Sequence, residues 1–249
     1  MCKAFSCIVD KAAKVTWKLS VDSHTDLLAG TSYKDDTADP VLMQFARVEI
    51  TPNNGNYLEP DAWARRVDQT ITPQWFSQKH HEAASAAHKK WLAKLDKVLV
   101  RQKIVHPFKI VPPAEITKKH INMLRKWASV WDSVRDSVGD SVRASVWDSV
   151  GDSVGASVWD SVWASVRASV WDSVWDSVGD SVWAYIGSFF ILPIWKGIKH
   201  PRGKYPFAPC VQLWKLGLVP SFDGKVWRLH GGEKAKVLFE ISAEQLRGQ

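Results

Sequence analysis

Fourteen uninterrupted copies of a four-residue unit run from Ala128 to Trp183, and they constrain the fold more than any other feature. Each unit has Ala or Asp first, then Ser, then Val, and ends in Trp, Arg or Gly. On a helix with about 100° per residue, a period of four moves the valine stripe by about 40° per unit, so valines would wind around the whole cylinder. These residue types are also indifferent or poor helix formers. Units that cannot bury their own apolar residue have to stack on one another, and the array therefore predicts a solenoid.

The variable residues suggest the length of one coil. Steps of about 12 residues sort them into ranks of one type, so three units per coil would stack at roughly 4.8 Å. The predicted fold class is α+β with a central β-solenoid, and a long α-helix for the repeat is the alternative. Disorder also stays open, as does expansion of a short DNA repeat without structural selection. The expected external ladders consist of Trp147, Trp159, Trp171 and Trp183, of Trp163 and Trp175, and of Asp136, Asp148, Asp160 and Asp172.

The segments on either side of the array predict two small α+β modules. Period-two alternation indicates strands at Ala4–Val9, Val15–Val21 and Phe45–Ile50, and Ser77 is a suitable N-cap for a long helix. Asp223-Gly224 predicts a hairpin turn near the C-terminus. The expected division is an N-terminal domain over 1–111, a helical cap over 112–127, the solenoid over 128–187, a cap and basic linker over 188–204, and a C-terminal module over 205–249.

Charge is unevenly distributed along the chain. The array carries nine Asp and three Arg, a net charge of −6, and the whole chain is at +7, which leaves +13 for the flanks. Basic flanks are compatible with binding to nucleic acid or an anionic surface, although a Lys-rich solvated surface is the commoner explanation. Three cysteines indicate a reducing compartment rather than a disulfide scaffold. The longest apolar run, 189–195, is too short to span a bilayer, and a cytoplasmic protein without membrane contact is expected.

Three segments together resemble a known group of sequences. They are Met1-Cys2-Lys3-Ala4-Phe5-Ser6-Cys7, the Ser-Val-Trp-Asp-Ser-Val array, and Gly217-Leu218-Val219-Pro220-Ser221-Phe222-Asp223-Gly224 with Trp227-Arg228-Leu229-His230. This combination resembles uncharacterised tetrapeptide-repeat proteins from environmental and viral genomes. The array is also distantly similar in style to pentapeptide-repeat solenoids, although it has four residues per unit and no central Leu. The resemblance implies no activity.

A catalytic alternative starts from Cys2. Removal of Met1 would make Cys2 the N-terminal residue, the arrangement of amidohydrolases whose free α-amine serves as the base. His24 lies between Asp22 and Asp26 and is the candidate partner. Lys3 follows the cysteine, where glutamine amidotransferases of this type usually have Gly. A small thiol near the terminus and a loop histidine explain the same residues without catalysis.

The sequence favours a non-enzymatic scaffold or binding protein. Its binding surface would be the predicted Trp and Asp ladders, since contiguous exposed aromatic side chains mark partner sites. A protein partner or a second copy of the chain is expected. The histidines and carboxylates have no compact metal-ligand spacing, so no metal or cofactor is predicted.

Overall fold

The computed structural model describes residues 5–19, 21–34, 37–53, 59–134, 137–150, 155, 158, 159, 162 and 175–248. The chain divides into two compact units. The first comprises residues 1–99 and 147–158, and the second comprises residues 100–146 and 159–249. Both units combine helices with a small antiparallel sheet, so the predicted α+β class holds for the flanks of the array.

A four-stranded antiparallel sheet organises the first unit. Its order is β2-β1-β3-β4, so the central strands β1 and β3 pair over their whole length. β1 carries Phe5, Cys7, Ile8 and Val9, all fully buried, which is why it occupies the middle of the sheet. The strands are β1 (Phe5–Asp10), β2 (Val15–Thr16), β3 (Phe45–Thr51) and β4 (Ala64–Val67).

Two helices pack on this sheet, α1 (His24–Leu28) and α2 (Gln78–Leu95), and a 3-10 turn covers Pro60–Ala62. Ser77 caps α2 as the sequence predicted, and the third helical residue, His80, accepts the Ser77 N–H through Nδ1 at 3.0 Å. The second nitrogen of His80 contacts the Lys11 carbonyl at 3.1 Å. This histidine therefore anchors the start of the helix to the turn after β1.

The second unit is built around a three-stranded antiparallel sheet in the order β5-β6-β7. Its strands are β5 (Val219–Phe222), β6 (Val226–Gly231) and β7 (Lys236–Ser242). Its flanking helices are α3 (Lys118–Asp132), α6 (Ala208–Lys215) and α7 (Ala243–Gly248), and Pro107–Lys109 form a 3-10 turn. The Asp223-Gly224 turn joins β5 to β6, as predicted.

The described part of the array is mostly helical and contains no strand, so the β-solenoid prediction is wrong. Its first unit ends α3, and the described repeats beyond it form α4 (Val138–Val150) and α5 (Trp175–Gly187), with Gly155, Val158, Trp159 and Val162 also helical. The described residues Ser133, Val134 and Ser137 are not helical, so a single helix does not run through all fourteen repeats.

Within each described helical stretch, the four-residue period is compatible with one buried face. Within thirteen residues the valine stripe drifts by only about 120°, which still fits one buried face. Val138, Val142 and Val146 of α4 are accordingly buried, and so are Val178 and Val182 of α5. A single straight helix through all fourteen repeats would not keep this face, because the valine stripe would go on turning.

Three serines that precede buried valines, Ser141, Ser145 and Ser181, pack closely against neighbouring backbone. Ser145 Oγ accepts the Lys196 N–H at 2.8 Å, and Ser141 Oγ donates to the Lys196 carbonyl. In α5, Ser181 Oγ donates to the Pro220 carbonyl at 2.6 Å. These hydroxyls satisfy backbone groups of connecting segments, so a Ser-Val pair can be buried at little cost in lost hydrogen bonds.

The first and last four-residue repeats of the array contact each other within the second compact unit. The indole N–H of Trp131 donates to Asp180 Oδ2 at 2.6 Å, and Trp131 packs on Phe222 and Trp227 of the sheet. Burial raises the pKa of the Asp180 carboxyl, and the hydrogen bond from Trp131 partly offsets this increase. The array is thus an insertion whose two ends are fixed to the same module.

Candidate functional site

Two short sequence triplets place charged side chains on one face of the first sheet. They are Arg47-Val48-Glu49 in β3 and Arg66-Val67-Asp68 at the end of β4. Glu49 and Arg66 are directly paired across the antiparallel strands, and the Asp68 N–H continues the pairing to the Arg47 carbonyl at 2.9 Å. Because side chains alternate between faces, the outer residues of both triplets share one face. The result is an array of alternating positive and negative side chains.

Glu49 is the buried centre of this group, with a side chain that is only 2% exposed. Arg66 binds one of its oxygens twice, through Nε at 2.9 Å and through Nη2. The same guanidinium lies 3.6 Å from Asp68 Oδ1. A buried carboxylate needs such compensation, because an uncompensated buried charge is strongly destabilising.

His24 completes the group from the first turn of α1. Its Nδ1 lies 3.6 Å from Asp68 Oδ2, and its Nε2 lies 3.5 Å from the Val48 carbonyl oxygen. Burial lowers the pKa of the imidazole, although Val48, Glu49 and Asp68 act in the opposite direction. Ser23 caps α1 by accepting the Asp26 N–H, and this cap fixes the start of the helix on which His24 lies.

An open cavity of about 570 Å³ adjoins this group. Its lining is polar and contains carboxylates, hydroxyls, an amide and one guanidinium. The lining residues are Asp22, Ser23, His24, Thr25, Arg47, Asp68, Gln69 and Thr70. Buried titratable groups beside a cavity of this size are the usual marks of a binding or catalytic site.

The candidate residues for catalysis are only partly placed by the structure. His24 lies in the cavity wall, while Cys2 lies outside the described residues, so their predicted partnership stays a prediction. Sequence reasoning missed Glu49, Arg66 and Asp68 as site residues. The signal that could have found them is the pair of Arg-Val-acid triplets, since both lie in segments with strand character.

The predicted Trp and Asp ladders require the coil spacing of a β-solenoid. Because the described part of the array contains no solenoid, the ladder geometry is wrong as well. Trp147 is 46% exposed on α4, and Asp148 beside it is exposed. Trp183 lies on the α-helix α5 and not on a strand of a solenoid coil. Trp175 begins α5. The remaining members lie outside the described residues: Trp163, Trp171, Asp136, Asp160 and Asp172.

Two tryptophans of the first predicted ladder, Trp159 and Trp183, do stack on each other, but both belong to helical segments. The rings of Trp159 and Trp183 lie 4.2 Å apart between centroids, at an angle of 22°. The Arg143 guanidinium lies 5.0 Å from the Trp183 ring centroid. Trp183 also faces Gly139, where a Cβ atom would lie 2.8 Å from the indole. This cluster packs helix against helix and is partly exposed.

No known family model, curated protein or solved structure matches the chain. The resemblance to tetrapeptide-repeat proteins therefore stays a prediction. Among the described residues, no helix has the length and apolar character needed to cross a membrane.

Proposed function

We propose that the protein is a binding protein and that the cavity of the first unit takes a small polar ligand. The observation that carries this proposal is the convergence of His24 and Asp68 in the wall of an open cavity lined by polar side chains. Arg66 lies 3.6 Å from Asp68 and also binds the buried Glu49, so it links the two carboxylates. Apart from this group, a buried histidine, a buried carboxylate and a cavity do not occur together in the described residues.

The placement of His24 favours binding over proton transfer. A general base needs one ring nitrogen within reach of the substrate while another group orients the ring. Here one nitrogen of His24 faces Asp68 and the other faces the Val48 carbonyl, so both are directed at the protein. The side chain of His24 is also only 6% exposed. His24 therefore serves to position Asp68 at the cavity wall.

The charges of the lining point to a ligand that carries both signs. Arg47 offers a guanidinium, whose planar geometry matches a carboxylate, and Asp22 offers a carboxylate suited to an ammonium group. Ser23, Thr25 and Thr70 add hydroxyls that both donate and accept hydrogen bonds. A free amino acid has this combination of an amine and an acid at short separation. We therefore assign the ligand to the class of small zwitterions.

Saturation-transfer NMR with an equimolar mixture of the twenty common amino acids tests this proposal on the full-length chain. At least one amino acid should receive saturation from the protein. The signal should fall by about tenfold or more in Arg47→Gln and in Asp22→Asn, because a charged hydrogen bond lost from a site costs on the order of 1.5–3 kcal/mol.

Two matched variants control for the loss of charge alone. Lys199→Gln and Asp61→Asn each remove one exposed charge away from the cavity lining. Both should keep the wild-type signal. Absence of saturation transfer from the wild-type protein, or an equal signal in Arg47→Gln, would contradict the proposal.

A contact between the array and a protein partner or a second copy is the other candidate function. The observation in its favour is the exposure of Trp147, whose indole is 46% accessible on α4. Large aromatic side chains are enriched in protein interfaces, and truncating them is often costly. The nucleic-acid contact of the basic flanks also stays a prediction, and strong salt dependence of binding would be its mark.

A further inference from the structure

We propose that His24, Glu49 and Asp68 form a divalent-cation site and that Arg66 occupies the place of the cation when no ion is bound. One ligand atom from each of the three side chains can be chosen so that all lie within 4.8 Å of one another. The three residues come from α1, β3 and the segment after β4, so the paired strands hold two of them in fixed register. This inference does not require the zwitterionic ligand of the proposed function.

The donor set defines the class of ion. One imidazole nitrogen with two carboxylates suits Mn²⁺ or Zn²⁺ better than Ca²⁺, which prefers oxygen alone. Ligand atoms that share an ion at about 2.0–2.2 Å lie roughly 3–4 Å apart. The observed limit of 4.8 Å therefore needs a closure of about 1 Å. Asp68, with a side chain 37% exposed, can provide it by a change of rotamer.

Arg66 is suited to be exchanged for an ion. Its side chain is 61% exposed, whereas that of Glu49 is 2% exposed, so the guanidinium reaches in from solvent to a carboxylate that is fixed inside. Arg66 contacts Glu49 and Asp68, which are two of the three proposed ligands. A divalent ion between the same oxygens would supply the positive charge that Glu49 requires, and Arg66 could turn outward without leaving it uncompensated.

The cavity gives the ion a route and further ligands. His24 and Asp68 line it, so an ion bound between them would have one side open to water. An open coordination position distinguishes ligand-binding and catalytic metal sites from closed structural ones. Any acidic group of a molecule in the cavity could then complete the coordination.

Calorimetric titration of the metal-free, full-length protein with Mn²⁺ alone tests the inference. The wild type should bind one Mn²⁺ ion. Glu49→Gln should bind Mn²⁺ with an affinity at least about tenfold lower than that of the wild type. Arg66→Gln should bind Mn²⁺ about tenfold more tightly than wild type, because the competing cation is removed. The exposed acid Glu59 provides the matched control, and Glu59→Gln should bind as the wild type does.

The opposite effects of the two variants keep the test sharp. A loss of affinity in Glu49→Gln through misfolding would be visible by circular dichroism, and the gain in Arg66→Gln cannot arise from misfolding. No heat of binding in the wild type would overturn the inference, and so would equal affinity in all variants. If the wild type binds Mn²⁺ but no amino acid receives saturation in the NMR experiment, the proposed function is contradicted and the cation site is supported.

Discussion

At the scale of single residues, buried histidines are the most informative side chains of this protein. His230 lies inside the second unit, where its Nδ1 contacts the Ala235 carbonyl at 3.1 Å and its Nε2 contacts Ser221 Oγ at 2.7 Å. A neutral imidazole satisfies both contacts if Nδ1 carries the proton and Nε2 accepts from the serine hydroxyl. The surroundings of His230 therefore select one tautomer of the uncharged ring.

Acid should destabilise the protein through these buried rings. Burial lowers the pKa of His230 and of His106, so the folded state takes up protons less readily than the unfolded chain. Stability should be fully present above the unfolded histidine pKa of about 6.5 and should decline as pH falls below it. Urea denaturation between pH 7.5 and pH 5 measures this. His230→Gln should flatten the slope, and a wild-type profile that is flat or rises toward pH 5 would contradict the account.

At the scale of elements, identical repeat sequences have different surroundings in the fold. The segment Val-Gly-Asp-Ser-Val occurs in α4 around Gly139 and in α5 around Gly179. A Cβ atom at Gly139 would lie 2.8 Å from the Trp183 indole, whereas a Cβ atom at Gly179 would meet nothing within 4 Å. The two glycines are therefore a natural pair for separating helix propensity from packing.

Alanine should act with opposite sign at these two positions. Gly179→Ala should stabilise the protein by about 0.5–1 kcal/mol, because glycine is unfavourable inside a helix. Gly139→Ala should destabilise it, since Trp159 on one face and Arg143 near the ring restrict how far Trp183 can move. Free energies of unfolding in urea measure both changes. Equal stabilisation by both substitutions would contradict the packing of Trp183 on α4.

Several elements outside the array were predictable because local signals and tertiary packing agree there. Ser77 caps a helix, Asp223-Gly224 turns a hairpin, and the alternation around Phe45 is a strand, as the sequence indicated. The array was not predictable in this way. Its period argues against one long helix, but nothing in identical units shows where helices end, and those ends decide whether valines share a face.

The binding site was only partly predictable for a related reason. His24 drew attention because it lies between two aspartates, but its contacts are Asp68 and Val48, which are 44 and 24 positions away in the sequence. Glu49 looked like an ordinary exposed residue of a strand. It is nevertheless buried, and its partner Arg66 lies 17 positions away in the sequence, so no local pattern encodes the contact.

At the scale of the whole molecule, the chain divides into two α+β units, and the array contributes residues to both. The Trp131 to Asp180 hydrogen bond closes the insertion on the second unit. The charged group around Glu49 lies in the first unit. The function that we propose therefore belongs to the first unit, while the sequence analysis had assigned binding to the repeats.

The measurement that tests this assignment most directly is an amide and indole NMR map of the full-length protein during titration with the amino-acid mixture. Our account predicts shifts in the resonances of residues 22–25, 47–49 and 66–70, with the indole signals of Trp147 and Trp183 unchanged. Shifts of those two indoles without any change around Glu49 would contradict it and would return the binding surface to the array.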